Sequence, residues 1–392
     1  MLRSPSTGEL LDQAIVLFFP SPASFTGEDV AEFHVHGSRA VISAVLDAMT
    51  GLAPGIRHAE PGEFARRAFE NNKMDLAAIE GLADLIDSET EWQRRQAFRQ
   101  MEGQLGRLAE GWRDKLVMAL AYLDAEIDFM DESDVGEGWN RVAGLGIAET
   151  SKEIMQVLAT AKTGARVRDG LEVLILGAPN AGKSSLLNAI SKRDVAIVTE
   201  HAGTTRDLIE VRCDLGGLPV TIIDTAGLRE STEPIEMEGI RRALERMRSV
   251  DLILMLTSTD SQAEQHVDTD VEMIRISTKS DLGRRDASCD LAVSAMTGEG
   301  LGELLSEITH RLKSRLGEET ALVARARQHE ALSLALTFLQ QGLKSLHSMQ
   351  PASTELFAED VRLAIRSLER LIGKVDVDDV LEQIFGRFCI GK

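Results

Sequence analysis

The stretch Gly177-Ala178-Pro179-Asn180-Ala181-Gly182-Lys183-Ser184 constrains the fold more than any other part of the chain. It matches G-x-x-x-x-G-K-[ST], a loop whose backbone N–H groups close around phosphate at a helix N-terminus. Such a loop needs a buried strand before it and a helix after it. Both are present, as Val173-Leu174-Ile175-Leu176 and Ser185-Leu186-Leu187-Asn188-Ala189-Ile190. The surrounding region must therefore be α/β, with Lys183 reaching the β/γ-phosphates and Ser184 facing a Mg²⁺ ion.

Three later motifs decide which nucleotide it is. Val220-Thr221-Ile222-Ile223 reads as a strand leading into Asp224-Thr225-Ala226-Gly227, the D-x-x-G that holds the Mg²⁺ shell and senses the γ-phosphate. Thr278-Lys279-Ser280-Asp281 stands where GTP-binding proteins carry N-K-x-D. Asp281 can accept the paired N–H donors of guanine, a pair that adenine lacks, and Thr278 replaces the asparagine. Ser294-Ala295-Met296 supplies the loop that faces the guanine carbonyl. Four motifs in this order point to GTP rather than ATP.

The chain has 392 residues, enough for two or three domains, and shows no apolar run long enough to span a bilayer or to form a secretory signal. A cytoplasmic setting and no membrane partner are the expectation. Its three cysteines, Cys213, Cys289 and Cys389, lie far apart, so no zinc site is expected and any thiol role is solitary. The formal net charge is −20, with 63 acidic against 43 basic side chains. A polyanion is repelled at long range, so nucleic acid must meet a local basic patch or arrive on a second protein.

The expected fold class is multi-domain α/β plus α. Residues 1–72 mix short apolar runs, such as Ala14-Ile15-Val16-Leu17-Phe18-Phe19, with Pro, Gly and Ser, and read as a small α+β unit. From Leu76, Ile79, Ala83 and Ile86 onwards a helical rhythm runs over 73–165, broken at the acidic stretch 131–138. Residues 166–316 carry a Ras-like α/β unit, and helical periodicity returns over 317–392. The simplest architecture inserts the α/β unit into one helical domain.

Hydrolysis needs a positioned water and positive charge at the developing transition state. The residue after the D-x-x-G glycine is Leu228, which cannot orient water. Asn180 and the loop Thr199-Glu200-His201-Ala202-Gly203-Thr204-Thr205 offer oxygens suited to a monovalent cation beside the phosphates; alternatively, Asn180 only braces its turn. Arg206 and Arg229 either pair with phosphates or form surface ion pairs.

Taken together, GAPNAGKSSLLNAI, VTEHAGTTRD, DTAGLRE, PGEFARRAFENNKMDL and the terminal FCIGK resemble the MnmE (TrmE) family of tRNA modification GTPases over nearly the whole chain. The resemblance implies a potassium-activated GTPase that pairs through its G domains as a homodimer. It further implies a heterotetramer with the flavoprotein MnmG, which modifies C5 of the wobble uridine of certain tRNAs with a methylene-tetrahydrofolate carbon. The family's K⁺ ligands fall on Asn180, Thr199, His201 (backbone) and Thr204, its Mg²⁺ ligands on Ser184 and Thr205, and its general base on Glu236. Its folate contacts fall on Glu32, Lys73 and Lys392, with residues 1–72 as the folate-binding and dimerisation domain. The terminal tail then returns to the folate pocket as a strand or loop, and Cys389 is either a nucleophile or a buried inert thiol. The family also carries an N-terminal segment, with a further folate contact, ahead of the point where this sequence starts; a late start or a truncation would account for that. Two other readings share some motifs: a ribosome-assembly GTPase of the Era or Der type, and a non-catalytic GTP- and folate-binding scaffold.

Overall fold

The computed structural model describes residues 1–128, 139–178, 180–197, 209–224, 249–258, 269–283, 288–317, 321–346, 353–375, 381, 384–386 and 388. Along the chain come β1 (Leu2–Arg3), β2 (Leu10–Asp12), β3 (Ile15–Phe19), β4 (Val30–His34), α1 (Arg39–Thr50), α2 (Glu63–Glu70), α3 (Leu76–Ile86), α4 (Glu91–Met101) and α5 (Gln104–Asp128). Then follow α6 (Trp139–Ala159), α7 (Ala161–Asp169), β5 (Leu171–Gly177), α8 (Lys183–Ser191), β6 (Ile209–Leu215), β7 (Leu218–Asp224) and β8 (Leu252–Ser258). The described residues continue with β9 (Met273–Thr278), β10 (Leu291–Val293), α9 (Leu301–Leu316), α10 (Ala326–Leu346) and α11 (Ser353–Ile372). The chain divides into two compact units, residues 1–83, 100–152 and 331–392 in one, and 84–99 and 153–330 in the other.

The second unit is built on a six-stranded sheet of order β10-β9-β8-β5-β7-β6. Only β6 runs antiparallel, joined to β7 by a tight hairpin. The inner strands β5, β7 and β8 are buried along nearly their whole length because layers cover both faces. One face packs Val173, Ile175, Ile222 and Leu254 against Leu187 of α8 and Leu304 and Ile308 of α9. The other packs Leu174, Ile223, Val250 and Ile253. Strand β5 lies between β8 and β7, so the strand order reverses at its C-terminal end. Such a reversal opens a crevice above the sheet.

Polar groups tie helical segments onto this unit. Asp84 accepts Nη2 and Nε of Arg325 at 2.6 and 3.2 Å and Nε of Arg168 at 3.1 Å. Gln96 of α4, 3% exposed, donates to the carbonyls of Gly164 and Ala321. Trp92 packs against the sheet core, and its backbone N–H donates to Gly217 O in the β6–β7 turn.

In the first unit, β1–β2 and β3–β4 form separate antiparallel ribbons. Ile15 and Phe18 of β3 are 66% and 64% exposed. The helical part is dominated by α5 and α11, which run antiparallel. Arg113 Nε meets Glu369 Oε1 at 2.8 Å, and Arg362 Nη2 meets Asp124 Oδ1 at 2.6 Å. Leu105, Ala109, Trp112, Leu116 and Leu123 of α5, with Phe357, Val361, Ala364, Leu368 and Leu371 of α11, are buried at helical spacing. Helix α3 is capped by Asp75, whose Oδ1 accepts Ala78 N at 2.7 Å. The chain end returns to α2 and α3: Leu381, Ile384, Phe385 and Phe388 share a core with Ala65, Leu76 and Ile79, and Arg66 lies 5.8 Å from the Phe385 ring centroid. Leu381, Ile384 and Phe385 are helical, and of the terminal residues 388–392 only Phe388 is among the described residues.

Candidate nucleotide site

The loop after β5 has the shape its sequence requires. Ala181 N bonds to Ala178 O at 3.1 Å, and Gly182, at φ 92°, turns the chain into α8, where Leu186 N bonds back to its carbonyl. That conformation is strained for any residue with a side chain, which accounts for the glycine. Asn180 also takes a left-handed conformation, φ 62°, and is exposed.

Lys183 is the first residue of α8 and is only 8% exposed. Its Nζ donates to the carbonyls of Gly177 and Ala178, both at 3.0 Å. A buried cation at the positive end of a helix is unfavourable on two counts, desolvation and the helix dipole. A phosphate bound at the same place reverses both.

Ser184 follows, and its Oγ donates to Asp224 Oδ2 at 2.6 Å. Asp224 ends β7 and is fully buried. A carboxylate and a hydroxyl are hard oxygen donors of the kind Mg²⁺ takes, usually with only one or two protein ligands beside water and phosphate oxygens. Among the described residues no cluster of three His, Cys, Asp or Glu side chains could hold a metal. This pair needs none, and its donor set fits Mg²⁺.

The residues expected to face the base lie at the ends of β9 and β10. Thr278, 6% exposed, donates from Oγ1 to Ala181 O at 2.8 Å, with Thr257 O at 3.3 Å. Lys279, at φ 59°, turns the chain into a short 3₁₀ turn over Ser280–Leu282. Asp281 is exposed and accepts Ser294 Oγ at 2.6 Å. Ser294 is buried and also accepts Thr297 N at 3.2 Å, while Met296 is 89% exposed. Residues 180–185, 224, 278–281 and 294–296 thus gather at one edge of the sheet, beyond the C-terminal ends of the parallel strands. In the sequence Thr278 is part of the guanine motif and a departure from its asparagine, but no local pattern points to its bond with the phosphate loop.

The remaining candidates are placed differently. Glu32 is exposed on β4 with His34 Nε2 at 3.4 Å, whereas Lys73 Nζ donates to Pro22 O at 2.8 Å, so no direct bond joins these two. Thr199, Glu200, His201, Ala202, Gly203, Thr204, Thr205, Thr225, Ala226, Gly227, Glu236, Cys389 and Lys392 lie outside the described residues. Of the other thiols, Cys213 is fully buried on β6, and burial pushes it up to about 11.

Comparison with known proteins gives consistent matches. Residues 76–389 match the model of the MnmE helical domain, and residues 1–73 that of the GTP-binding protein TrmE N-terminus. The tRNA modification GTPase MnmE of Methylobacterium sp. is 49% identical over 396 residues, covering 100% of this chain and 89% of that protein. Its namesake in Methylorubrum populi is 50% identical over 393 residues, covering 100% and 88%. Among solved structures, the G domain of the T. maritima FeoB iron transporter is similar at 23% identity and a TM-score of 0.27, covering 36% of this chain and 99% of that one. A likeness that weak adds nothing to the fold read from the chain's own sheet. The α+β segment, the helical segments and the inserted phosphate-loop unit agree with the class expected from the sequence. With both family models matched in order and near-half identity along the whole chain, this chain belongs to the MnmE family of tRNA modification GTPases.

Proposed function

We propose that the chain binds GTP with Mg²⁺ at the edge of its six-stranded sheet, hydrolyses it, and serves tRNA modification through that turnover. The observation that carries this reading is Lys183, a buried ammonium at a helix N-terminus that a phosphate would neutralise. Backbone N–H groups of 180–185 cradle the phosphates, Ser184, Thr205 and Asp224 hold the Mg²⁺ shell, and Asp281 with the Ser294-Ala295-Met296 loop selects guanine. Mg²⁺, when bound, offsets charge on the phosphate oxygens.

Family membership supports the finer assignments. Glu236 takes the proton of the attacking water. Asn180, Thr199, the His201 backbone and Thr204 hold K⁺, which supplies positive charge at the developing transition state. Glu32, Lys73 and Lys392 contact a tetrahydrofolate derivative, and Cys389 stands beside that pocket. The chain works as a homodimer with the flavoprotein MnmG on C5 of the wobble uridine. The parts that carry these roles are 1–72 for folate and dimerisation, 73–165 with 317–392 as the helical domain, and 166–316 as the G domain.

The test is Glu236→Ala in the full chain, assayed for GDP binding and for phosphate release from GTP. Binding is expected to stay within twofold while turnover falls by about 10²-fold or more, as for loss of a general base. Unchanged turnover removes Glu236 from the mechanism.

A further inference from the structure

Thr278 stands at the end of β9, paired with Ser258 of β8 on one side and Val293 of β10 on the other. Its side chain points at the phosphate loop. The hydroxyl lies 2.8 Å from Ala181 O, and a Cβ built on Gly182 would come to 3.8 Å from the Thr278 Cβ. Ala181 is fully buried, so its carbonyl depends on a protein donor. Thr278 has one hydroxyl proton to give, and two carbonyls, those of Ala181 and Thr257, already compete for it. Three residues on, Asp281 carries the carboxylate that faces the base, itself held by Ser294.

We propose that Thr278 is a positioning residue that fixes the phosphate loop to the base-reading loop, and that the N7 acceptor of guanine goes unread in this chain. The inference rests on the guanine-nucleotide reading above and deepens it. Guanine presents N7 and O6 as acceptors on one edge and amino and imino donors on the other. A side-chain donor for N7 at the position of Thr278 would need a proton not already bonded. Here that proton goes to Ala181 O, so base selection falls on the donor edge, through Asp281. Thr278 then affects affinity through the loop it holds and not through the base.

The test compares equilibrium binding of GDP and 7-deaza-GDP, which lacks N7, by the full chain and by Thr278→Val and Thr278→Ser. Thr278→Val keeps the shape and removes the hydroxyl; Thr278→Ser keeps the hydroxyl. The wild type is expected to bind the two nucleotides within about twofold of each other. Thr278→Val should weaken both equally, by about tenfold, the usual scale for a buried carbonyl deprived of its donor, and Thr278→Ser should restore both. Melting of each nucleotide-free variant, measured alongside, confirms that the loss occurs in folded protein. Thr278→Val binding GDP as tightly as wild type overturns the proposal, and so does a loss confined to GDP. If Thr278→Val does not fold, the wild-type comparison still decides: tenfold weaker binding of 7-deaza-GDP means that N7 is read. A wild type that binds neither nucleotide removes the guanine-nucleotide reading itself and this inference with it, an outcome distinct from the others.

Discussion

Ser184 and Asp224 illustrate how much rests on single oxygens. At 2.6 Å they form a short hydroxyl–carboxylate bond at the place where a phosphate-bound cation would sit. Ser184→Ala should leave GDP binding without Mg²⁺ nearly unchanged, yet raise the Mg²⁺ concentration needed for half-maximal GTP turnover by about tenfold, one lost oxygen ligand being worth roughly 1.4 kcal/mol. An Mg²⁺ titration of phosphate release checks this, and an unshifted midpoint counts against the assignment. Cys213 makes the opposite case, a group whose burial keeps it unreactive. Its thiol is pushed up to about 11 by desolvation. The folded state therefore favours the neutral form, and its contribution holds below the ordinary thiol range and is lost as pH rises through 11. Native protein at pH 8 should resist alkylation at Cys213, and Cys213→Ala should shrink the alkaline loss of stability between about pH 9 and the folded value. The turn at Gly182 into α8 was legible in the sequence because G-x-x-x-x-G-K-S allows few conformations. The role of Thr278 was not, because a hydroxyl bond spanning 97 positions has no local pattern.

Among the elements, α3 and α4 show what hydrophobic rhythm can and cannot reveal. Helix α3 was readable from Leu76, Ile79 and Ala83, and Leu76 and Ile79 are fully buried. The reason it fits its place was not. Gly81 crosses so near the α4–α5 turn that a Cβ would lie 2.4 Å from Met101 N. Gly81→Ala should therefore cost about 1–3 kcal/mol, the range for overpacking against atoms that cannot move freely. A fall in the urea midpoint measures it, and an unchanged midpoint means that the crossing relaxes. Helix α4 has no such rhythm, since EWQRRQAFRQM buries Gln96 and Gln100 at 3% and 1% exposure. The buried Gln96 amide, bonded to carbonyls of two distant segments, breaks the rule that the core face is apolar. Periodicity cannot detect it. The packing of the chain end on α2 and α3 was likewise not legible; family likeness gave only a return to the folate pocket. Phe385→Ala should remove a ring packed against Leu76 and Arg66 and speed hydrogen exchange over residues 381–388, while leaving GDP affinity unchanged.

At the scale of the whole molecule, charge and nucleotide use make separate predictions. A net charge of −20 opposes a polyanion, so tRNA binding by this chain alone should be weak and should strengthen markedly when the proposed flavoprotein partner is added. Filter binding at fixed salt tests that; equal affinity with and without the partner would place the tRNA contacts on this chain instead. The order of segments was readable because each type has its own texture: alternating strands and helices in the insert, 3.6-residue rhythm around it, and short punctuated runs at the start. The expectation of a general base at Glu236 came only through resemblance, because it is one carboxylate among 63 acidic residues and no spacing singles it out.

The most direct measurement is phosphate release by the purified chain with Mg²⁺, from GTP and from ATP, in KCl and in NaCl at equal ionic strength. The account predicts turnover of GTP and not ATP, with a rate in KCl at least tenfold above that in NaCl, the cation supplying charge at the transition state. Equal release from GTP and ATP, or no release from either in both salts, would contradict it.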